Sequence, residues 1–430
     1  MLLKVILQVI DLRVWIFQTG EPLHCDVGFA RPMRAINLAN TLVARGHEVT
    51  IWSSAFYHQE KHHRSRRFEC LRISKNLTIN LIPSIGYKKN IGLMRLLDHF
   101  ILAINLVRAL KKIKSNLPDV AFVGYPPIES AYVMVRWLKK RKIPTIVDAK
   151  DQWPTIFTEA FPKSLRPIAH VLFWPYFYLA RAVMTESTAL CAMSDAFVDW
   201  MCEFSVRQRG KNDLVAPLTA PHVVFDDDAL QAAIGWLRER GINSNTKNRV
   251  IFVGSLSSAF DFKIVKELAN LCINRLLCIQ FVIAGDGDRA HDVREMFVGM
   301  ENVVFTGWID APKIKALSLH SCATIAPYVQ NDAFSRSIPN KIIDSLIYGL
   351  PILTTLTGTV EHMLTEAEVG ISSDSAEEMF YYLQRLVENP FALPETSSRA
   401  VKLHSRRFSF DVVYGSLVDS IENLARLYER

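Results

Sequence analysis

The sequence predicts an α/β protein made of two parallel-sheet domains, and three observations predict it. The chain has 430 residues, against roughly 100–200 per domain, so it has material for two cores. Short β-branched apolar runs alternate with amphipathic helical stretches, and this rhythm occurs twice. Between the two runs lies Gly241–Asn248 (GINSNTKN), which is polar and turn-rich. The expected division is a first domain over residues 1–217, a connecting segment 218–248, a second domain 249–410, and a helix 411–430 that packs back across the junction.

In the first half, Leu3–Ile10 reads as a strand followed by a long polar loop through Gly20, Glu21 and Gly28. A helix over Arg31–Arg45 follows, stopped by Gly46, and Glu48–Ser53 is the next strand. Leu77–Ile82, Val120–Val123 and Thr145–Val147 are further strands, with helices over Leu93–Lys114 and near Ser130–Arg141. In the second half the strands are Arg249–Val253, Cys278–Ala284, Asn302–Thr306, Cys322–Ala326, Pro351–Thr355 and Gly370–Ser372. Helices near Phe262–Cys272, Asp310–Leu319, Asn340–Tyr348 and Ala376–Glu388 separate them.

Half the residues are hydrophobic and only 22% are charged, which excludes disorder as the main state. The formal charge of +7 is unevenly spread. Residues 1–215 hold 30 Lys and Arg against 17 Asp and Glu, while residues 216–430 hold 20 against 26. A basic half attracts polyphosphates, nucleic acid or an anionic membrane surface, or is simply a solvated face. Seven scattered cysteines without a C-x-x-C pair suit reduced thiols in a cytosol. The apolar N-terminus is followed by no small-residue cleavage site, and no run reaches ~18 apolar residues, so a buried first strand is expected rather than a leader or a membrane span.

Several chemistries fall away. His58 and His62 have i, i+4 spacing but match no zinc-protease order, so no metal is expected. There is no G-x-S-x-G elbow and no P-loop. Gly285-Asp286-Gly287 opens a G-x-G-x-x-A match after a strand, but it sits at the second unit of its domain and carries acidic residues that would repel a dinucleotide pyrophosphate. No nucleic-acid-binding module is present.

Four stretches carry a more specific message: Gly20-Glu21-Pro22 with ARPMRAINLANTLVARGHEVTIW; VDAKDQWP at 147–154; VIFVGSL with FVIAGDGD and VVFTGWID; and APY with SRSIPNKIIDSLIYGLPILT within 326–355. In that order and spacing they resemble the family 4 retaining glycosyltransferases with the GT-B fold, especially bacterial ones that build capsule or O-antigen. The resemblance implies two Rossmann-like domains facing across a cleft, the first binding the acceptor and the second a nucleoside-diphosphate sugar, expected to be UDP-linked, with no other cofactor.

The resemblance assigns donor binding to Gly254 and Ser255, to Gly285, Asp286 and Gly287, to Trp308 and Ile309 beside the base, and to Ser335, Pro339, Asn340 and Asp344. A glycine at a strand end lets a phosphate approach the backbone. Trp308 could equally stack or fill core. Asp344 stands where the family has a ribose-binding Glu, and Arg336 replaces the family's earlier Glu, eight positions before it. A guanidinium cannot accept from sugar hydroxyls but can neutralise a diphosphate. Residues 255–259 also lack the basic residue often found there, which leaves the charge to Arg336 and Lys341. Asp148 and Asp151 end a strand and are candidates to orient or deprotonate an acceptor hydroxyl, or to cap a turn. Gly20, Glu21, Asp26, Arg31 and Arg34 lie where the family's acceptor loop sits.

By resemblance the reaction retains anomeric configuration without a protein nucleophile, the leaving diphosphate taking the acceptor proton. The helix over Leu93–Lys114 carries Leu93, Leu97, Phe100, Ile104 and Val107 on one stripe and ends in Lys111, Lys112 and Lys114. With Phe173–Tyr178 it could lie on an anionic inner leaflet beside a lipid-linked acceptor, although core packing is the ordinary use of such a stripe. A non-hydrolysing sugar-nucleotide epimerase and a catalytically degenerate binding protein remain as alternatives. The expected location is the cytoplasm, with peripheral contact to the membrane.

Overall fold

A computed structural model describes residues 11–27, 31–90, 92–159, 161–221, 223–242 and 248–428. The strand expected at Leu3–Ile10 and the loop position Gly28 lie outside these. The chain forms two compact units, residues 1–220 with 413–430 and residues 221–412.

The strands of the first unit are β1 (Arg13–Phe17), β2 (Glu48–Ser54), β3 (Phe56–Tyr57), β4 (His62–His63), β5 (Glu69–Arg72), β6 (Leu77–Ile82), β7 (Val120–Tyr125), β8 (Thr145–Ala149), β9 (Ala189–Ala192) and β10 (Leu214–Val215). Eight form one sheet in the order β10-β9-β8-β7-β1-β2-β6-β5, parallel except at the β5–β6 edge, with β3 and β4 as a separate hairpin. β1 occupies what the sequence suggested was polar loop. Its alternation is masked by Arg13 at its start, yet Val14, Ile16 and Phe17 are almost wholly buried because both faces of a central parallel strand are covered. The strand order reverses between β1 and β7, and the loops leaving those two strands diverge there, the usual place for a ligand in an open α/β sheet.

The second unit contains β11 (Arg249–Val253), β12 (Gln280–Ala284), β13 (Val303–Gly307), β14 (Ala323–Ala326), β15 (Ile352–Thr354) and β16 (Gly370–Ser372). They are all parallel, in the order β13-β12-β11-β14-β15-β16, with the switch point between β11 and β14. The core gathers Phe252, Phe281, Ile342, Leu346, Phe380 and Leu383 from both sheet and helices. Asp310 caps the helix Ala311–Leu319 by accepting from the Lys313 amide at 3.2 Å. Residues 218–248 are more than a connection. They include the helix Asp227–Arg238, whose Ala233 and Leu237 pack with Ile251 and Val282 of the second sheet.

The C-terminal helix Phe410–Leu427 belongs with the first unit from Val413 onward. Arg45 holds Asp419 and, at 3.2 Å, Glu422, and His47 meets Glu422 at 3.0 Å. The deepest tie in this unit is Arg34. Its guanidinium stands 3.4 Å from the Asp148 carboxylate, both about 1% exposed, donates to the carbonyls of Ala216 and Pro217, and lies 5.9 Å from the Tyr414 ring. Burial pushes the Asp148 carboxyl up while Arg34 pulls it down. A guanidinium does not give up its proton, so the pair is ionic. Removing one partner strands the other charge in the core, so Arg34→Met should cost about 3–5 kcal/mol in urea unfolding. A loss below about 1 kcal/mol would show that the pair does not hold these elements together.

Candidate active site

In the second unit, three strand ends converge. Gly254 follows β11, Gly285 follows β12, and β13 ends at Gly307, whose carbonyl accepts from the Gly285 amide at 2.8 Å. A Cβ on Gly285 would lie 1.8 Å from the Gly254 carbonyl oxygen, so the two backbones touch only because residue 285 has no side chain. Gly287 approaches Leu256 in the same way, and the Leu256 amide donates to the Asp286 carbonyl at 2.9 Å. Asp286 and Ser255 are exposed at this rim, and the Asp286 carboxylate accepts from the Gly287 amide at 2.9 Å.

Gly254 makes room for a different group. A Cβ there would fall 1.5 Å from the Lys341 Nζ. The Lys341 side chain rises from the first turn of the helix Asn340–Ile347, donates to the Val253 carbonyl, and places its ammonium 4.7 Å and 5.1 Å from the ring centroids of Phe252 and Phe260. Burial lowers its pKa to about 8, with Asp344, one turn along, acting in the opposite direction. Pro339 precedes this helix as its cap residue, and the Asn340 Oδ1 is buried with no hydrogen-bond partner among the described residues. A cation, a helix N-terminus and glycine-lined strand ends meet at the switch point, an arrangement whose electrostatics favour an anion.

Ser335 and Arg336 end the short helix Asp332–Ser335, both half-buried. The Ser335 hydroxyl donates to the Asp332 carbonyl at 2.9 Å, and its own carbonyl packs against Gly358. Trp308 is 74% exposed, so it does not fill core and its ring is open to stacking. Ile309 is different. Its side chain is 5% exposed within a core cluster, which leaves only its backbone for a ligand.

The first unit corrects more of the expected roles. Asp148 and Arg34, expected to meet the acceptor, are used on each other in the core. The helix begins at Arg34, so Arg31 precedes it in an exposed loop and does not share a helical face with Arg34. Asp26 is fixed by Arg64 through two 2.6 Å bonds and caps its own turn at Leu23. Glu21 is buried, accepts from the Ala35 amide at 2.8 Å and pairs with Lys150. These carboxylates therefore shape the loop and carry no free charge to a ligand.

Gly20, with a left-handed φ of 77°, and Asp151 remain at the surface of a cavity of about 190 Å³ at the β1/β7 switch point. Asp151 is solvent-accessible through this cavity yet ringed by protein. Burial raises its pKa, opposed by Arg95 and then Lys150. Among the lining residues that the sequence did not assign to this site are Lys150, His58, Tyr87 and Arg95. The His58 Nδ1 meets the Tyr87 hydroxyl at 2.6 Å and the Lys61 Nζ at 3.1 Å, and burial, then Lys61 and Arg95, drop its pKa to about 4. Lys150 was in view between the two aspartates of VDAKDQWP. His58 is marked in the sequence only as half of an i, i+4 histidine pair, and Tyr87 and Arg95, in the loop before the helix Leu93–Lys111 and in its first turn, carry no motif.

The stripe Leu93, Leu97, Phe100, Ile104 and Val107 faces solvent, and the helix Leu93–Lys111 instead buries His99, Leu102, Leu106 and Leu110. Ile168, Val171, Leu172, Trp174 and Tyr178 are also exposed. Among the described residues no helix is long and apolar enough to cross a membrane, and no group of three His, Cys, Asp or Glu is placed to hold a metal.

The two parallel sheets and their switch-point sites define a protein of the GT-B class. The family model for "Glycosyltransferase Family 4" matches residues 33–210, and that for "Glycosyl transferases group 1" matches residues 247–389. The chain is a glycosyltransferase carrying these two domains in order. Nothing among curated proteins matches it. Similar solved structures include sucrose-phosphate synthase from Thermosynechococcus elongatus, with TM-score 0.68, 12% identity, and 97% of this chain and 100% of that one covered. HepE from Anabaena in complex with UDP gives 0.63 and 13%, covering 96% and 100%. WaaG, a glycosyltransferase involved in lipopolysaccharide biosynthesis, gives 0.61 and 15%, covering 95% and 99%.

The contact between residues 254 and 341 can be tested by a double substitution. Gly254→Ala should destabilise the protein by roughly 1–3 kcal/mol in thermal unfolding, and Lys341→Ala should restore the steric part of that loss while the strain of a positive φ persists. Gly285→Ala should not be rescued in this way, because it meets backbone. Equal losses with and without Lys341 would refute the contact.

Proposed function

We propose that this glycosyltransferase moves a sugar from a nucleoside-diphosphate sugar, UDP-linked, to a glycan acceptor with retention of configuration, in the synthesis of a surface polysaccharide. The observation that carries the donor half is the Lys341 ammonium lodged at Gly254, between the strand ends. On donor binding it leaves the Val253 carbonyl for the diphosphate and offsets the negative charge that grows as the glycosidic bond breaks. Arg336 adds to that charge, Asp344 accepts from the ribose hydroxyls, and Trp308 stacks on the base. HepE, solved with UDP and with UDP-glucose, supports a uridine donor.

On the first unit the acceptor sits over Gly20 and Asp151. The Asp151 carboxylate accepts no hydrogen bond among the described residues and orients the attacking hydroxyl, while the leaving diphosphate takes the proton. Asp148 has no part in this step. The exposed apolar stripe, flanked by Arg108, Lys111, Lys112 and Lys114, favours an anionic bilayer surface as the place of action. That stripe favours a membrane-linked acceptor over the free sugar phosphates suggested by neighbours such as sucrose-phosphate synthase.

A thermal-shift panel of sugar nucleotides should give its largest rise with a UDP-sugar, since a ligand that binds only the folded state stabilises it. Arg336→Ala should reduce that shift, and a panel without any response would defeat the donor assignment. The protein should also sediment with anionic liposomes at low salt and release at high salt. Absence of binding at low salt would remove the membrane from the account.

A further inference from the structure

We infer that the first unit carries a second saccharide-binding site, on the face of its sheet, which holds a short stretch of glycan away from the place of reaction. A cavity of about 580 Å³ opens there, within the roughly 300–1,000 Å³ of small-molecule sites. No residue lines both this cavity and the one over Gly20 and Asp151. The helix Leu93–Lys111 serves the two with different halves: Arg95, His99 and Leu102 line the switch-point cavity, while Asn105, Arg108 and Ala109 wall the other. The inference therefore stands apart from the acceptor role of Asp151.

Strand alternation builds the floor. Trp15 of β1, Thr50 and Trp52 of β2, Thr78 and Asn80 of β6, and Cys70 of β5 all line the cavity. They are cross-strand neighbours: Trp15 lies opposite Thr50, Thr50 opposite Thr78, and Asn80 opposite both Trp52 and Cys70. A face used only for core packing is apolar at such positions, whereas this one sets rings beside hydroxyl and amide groups. Trp52 is 3% exposed, yet its indole N–H is buried with no hydrogen-bond partner among the described residues. A buried donor left unpaired is costly, and an acceptor brought in by a ligand removes that cost.

The walls select the ligand class. Trp15 is tilted 52° against Trp52, and Trp52 47° against Phe68, with centroids 5.0 Å and 6.5 Å apart. Tilted rings make a cupped wall and no parallel slot for a flat base, while Phe68, 49% exposed, offers an open ring to the C–H face of a sugar. Thr50, Thr78 and Asn80 both donate and accept, as sugar hydroxyls do. Charges of both signs surround them. Arg13 is held by Asp119 at 3.5 Å, Arg108 donates to the Asn105 Oδ1 at 2.9 Å, and Glu48 shares the wall with Lys112. A polyanion finds no concentrated positive field there, and a lipid chain leaves the indole N–H and the Asn80 amide without partners.

The cavity contains its own reporter. Cys70 is a free, exposed thiol in its wall, and Cys278, also free and exposed, lies in the other unit. The full chain is alkylated with iodoacetamide, and the two sites are followed by peptide mass spectrometry. At about 10 mM, at least one of maltotriose, cellotriose, chitotriose and mannotriose should slow Cys70 roughly tenfold relative to Cys278, as a dissociation constant of ~1 mM implies. Phe68→Ala, at a half-exposed position, and Trp52→Phe, which keeps a ring but removes the N–H, should each cut that protection to below about threefold. Asp151→Asn should leave it unchanged. No protection by any of the four, or protection undiminished in Phe68→Ala, would overturn the site. Protection lost in Asp151→Asn would overturn it by placing the sugars at the switch point, and equal protection by UDP would overturn it in favour of a nucleotide. The sugar-nucleotide panel reads the other unit, so its failure with Cys70 protection intact would count against the donor assignment and leave this site standing.

Discussion

One lysine ammonium occupies the space that a side chain on residue 254 would fill, and the arrangement of the second unit follows from it. Lys341 can reach the Val253 carbonyl only because the residue after β11 is a glycine, and Gly254 can lie against the end of β12 only because Gly285 is also bare. The helix that carries Lys341 must then begin at the mouth of the sheet, which brings Asn340 and Asp344 with it. In the proposed donor role, this partly desolvated cation exchanges a carbonyl and two aromatic faces for a diphosphate. Few charges are needed if each is placed in low dielectric, so an anionic ligand can be held by a half of the chain in which acidic residues outnumber basic ones.

The first unit uses its charges differently. Arg34 with Asp148, Glu21 with Lys150, and Asp26 with Arg64 are all internal pairs that fix where the β1 and β8 loops go. What they frame is a cavity lined by Gly20 and Asp151. Ion pairs of this depth are expensive to break and add little net stability. Their effect is to hold the loop in one conformation, which the proposed acceptor site needs more than it needs additional affinity.

Much of this was legible in the sequence where chain-local signals decide it. Arg249–Val253, Gly370–Ser372 and Ala376–Glu388 have the bounds that apolar runs and their punctuation indicate. Gly254, Lys341 and Asp344 were singled out through motif order. The sequence could not show that Asp148 meets Arg34 or that Asp26 meets Arg64, because those partners lie far apart in the chain and a carboxylate beside a strand end looks the same whether it faces a ligand or a guanidinium. Nor does periodicity say which stripe of Leu93–Lys111 turns inward: one carries Phe100 and Ile104, the other His99, Leu102 and Leu106, and the buried face is the one holding the histidine.

The central claim is that Lys341 exchanges a backbone carbonyl for the donor diphosphate. Its lowered pKa leaves the free protein about half protonated on this group near pH 8, and a bound diphosphate would pull the missing proton in. Calorimetric titration of UDP at pH 8 in buffers of different ionisation enthalpy measures that proton directly: the account predicts uptake of about half a proton per UDP, absent in Lys341→Ala. UDP binding without proton uptake, or with the same uptake in the variant, would contradict it.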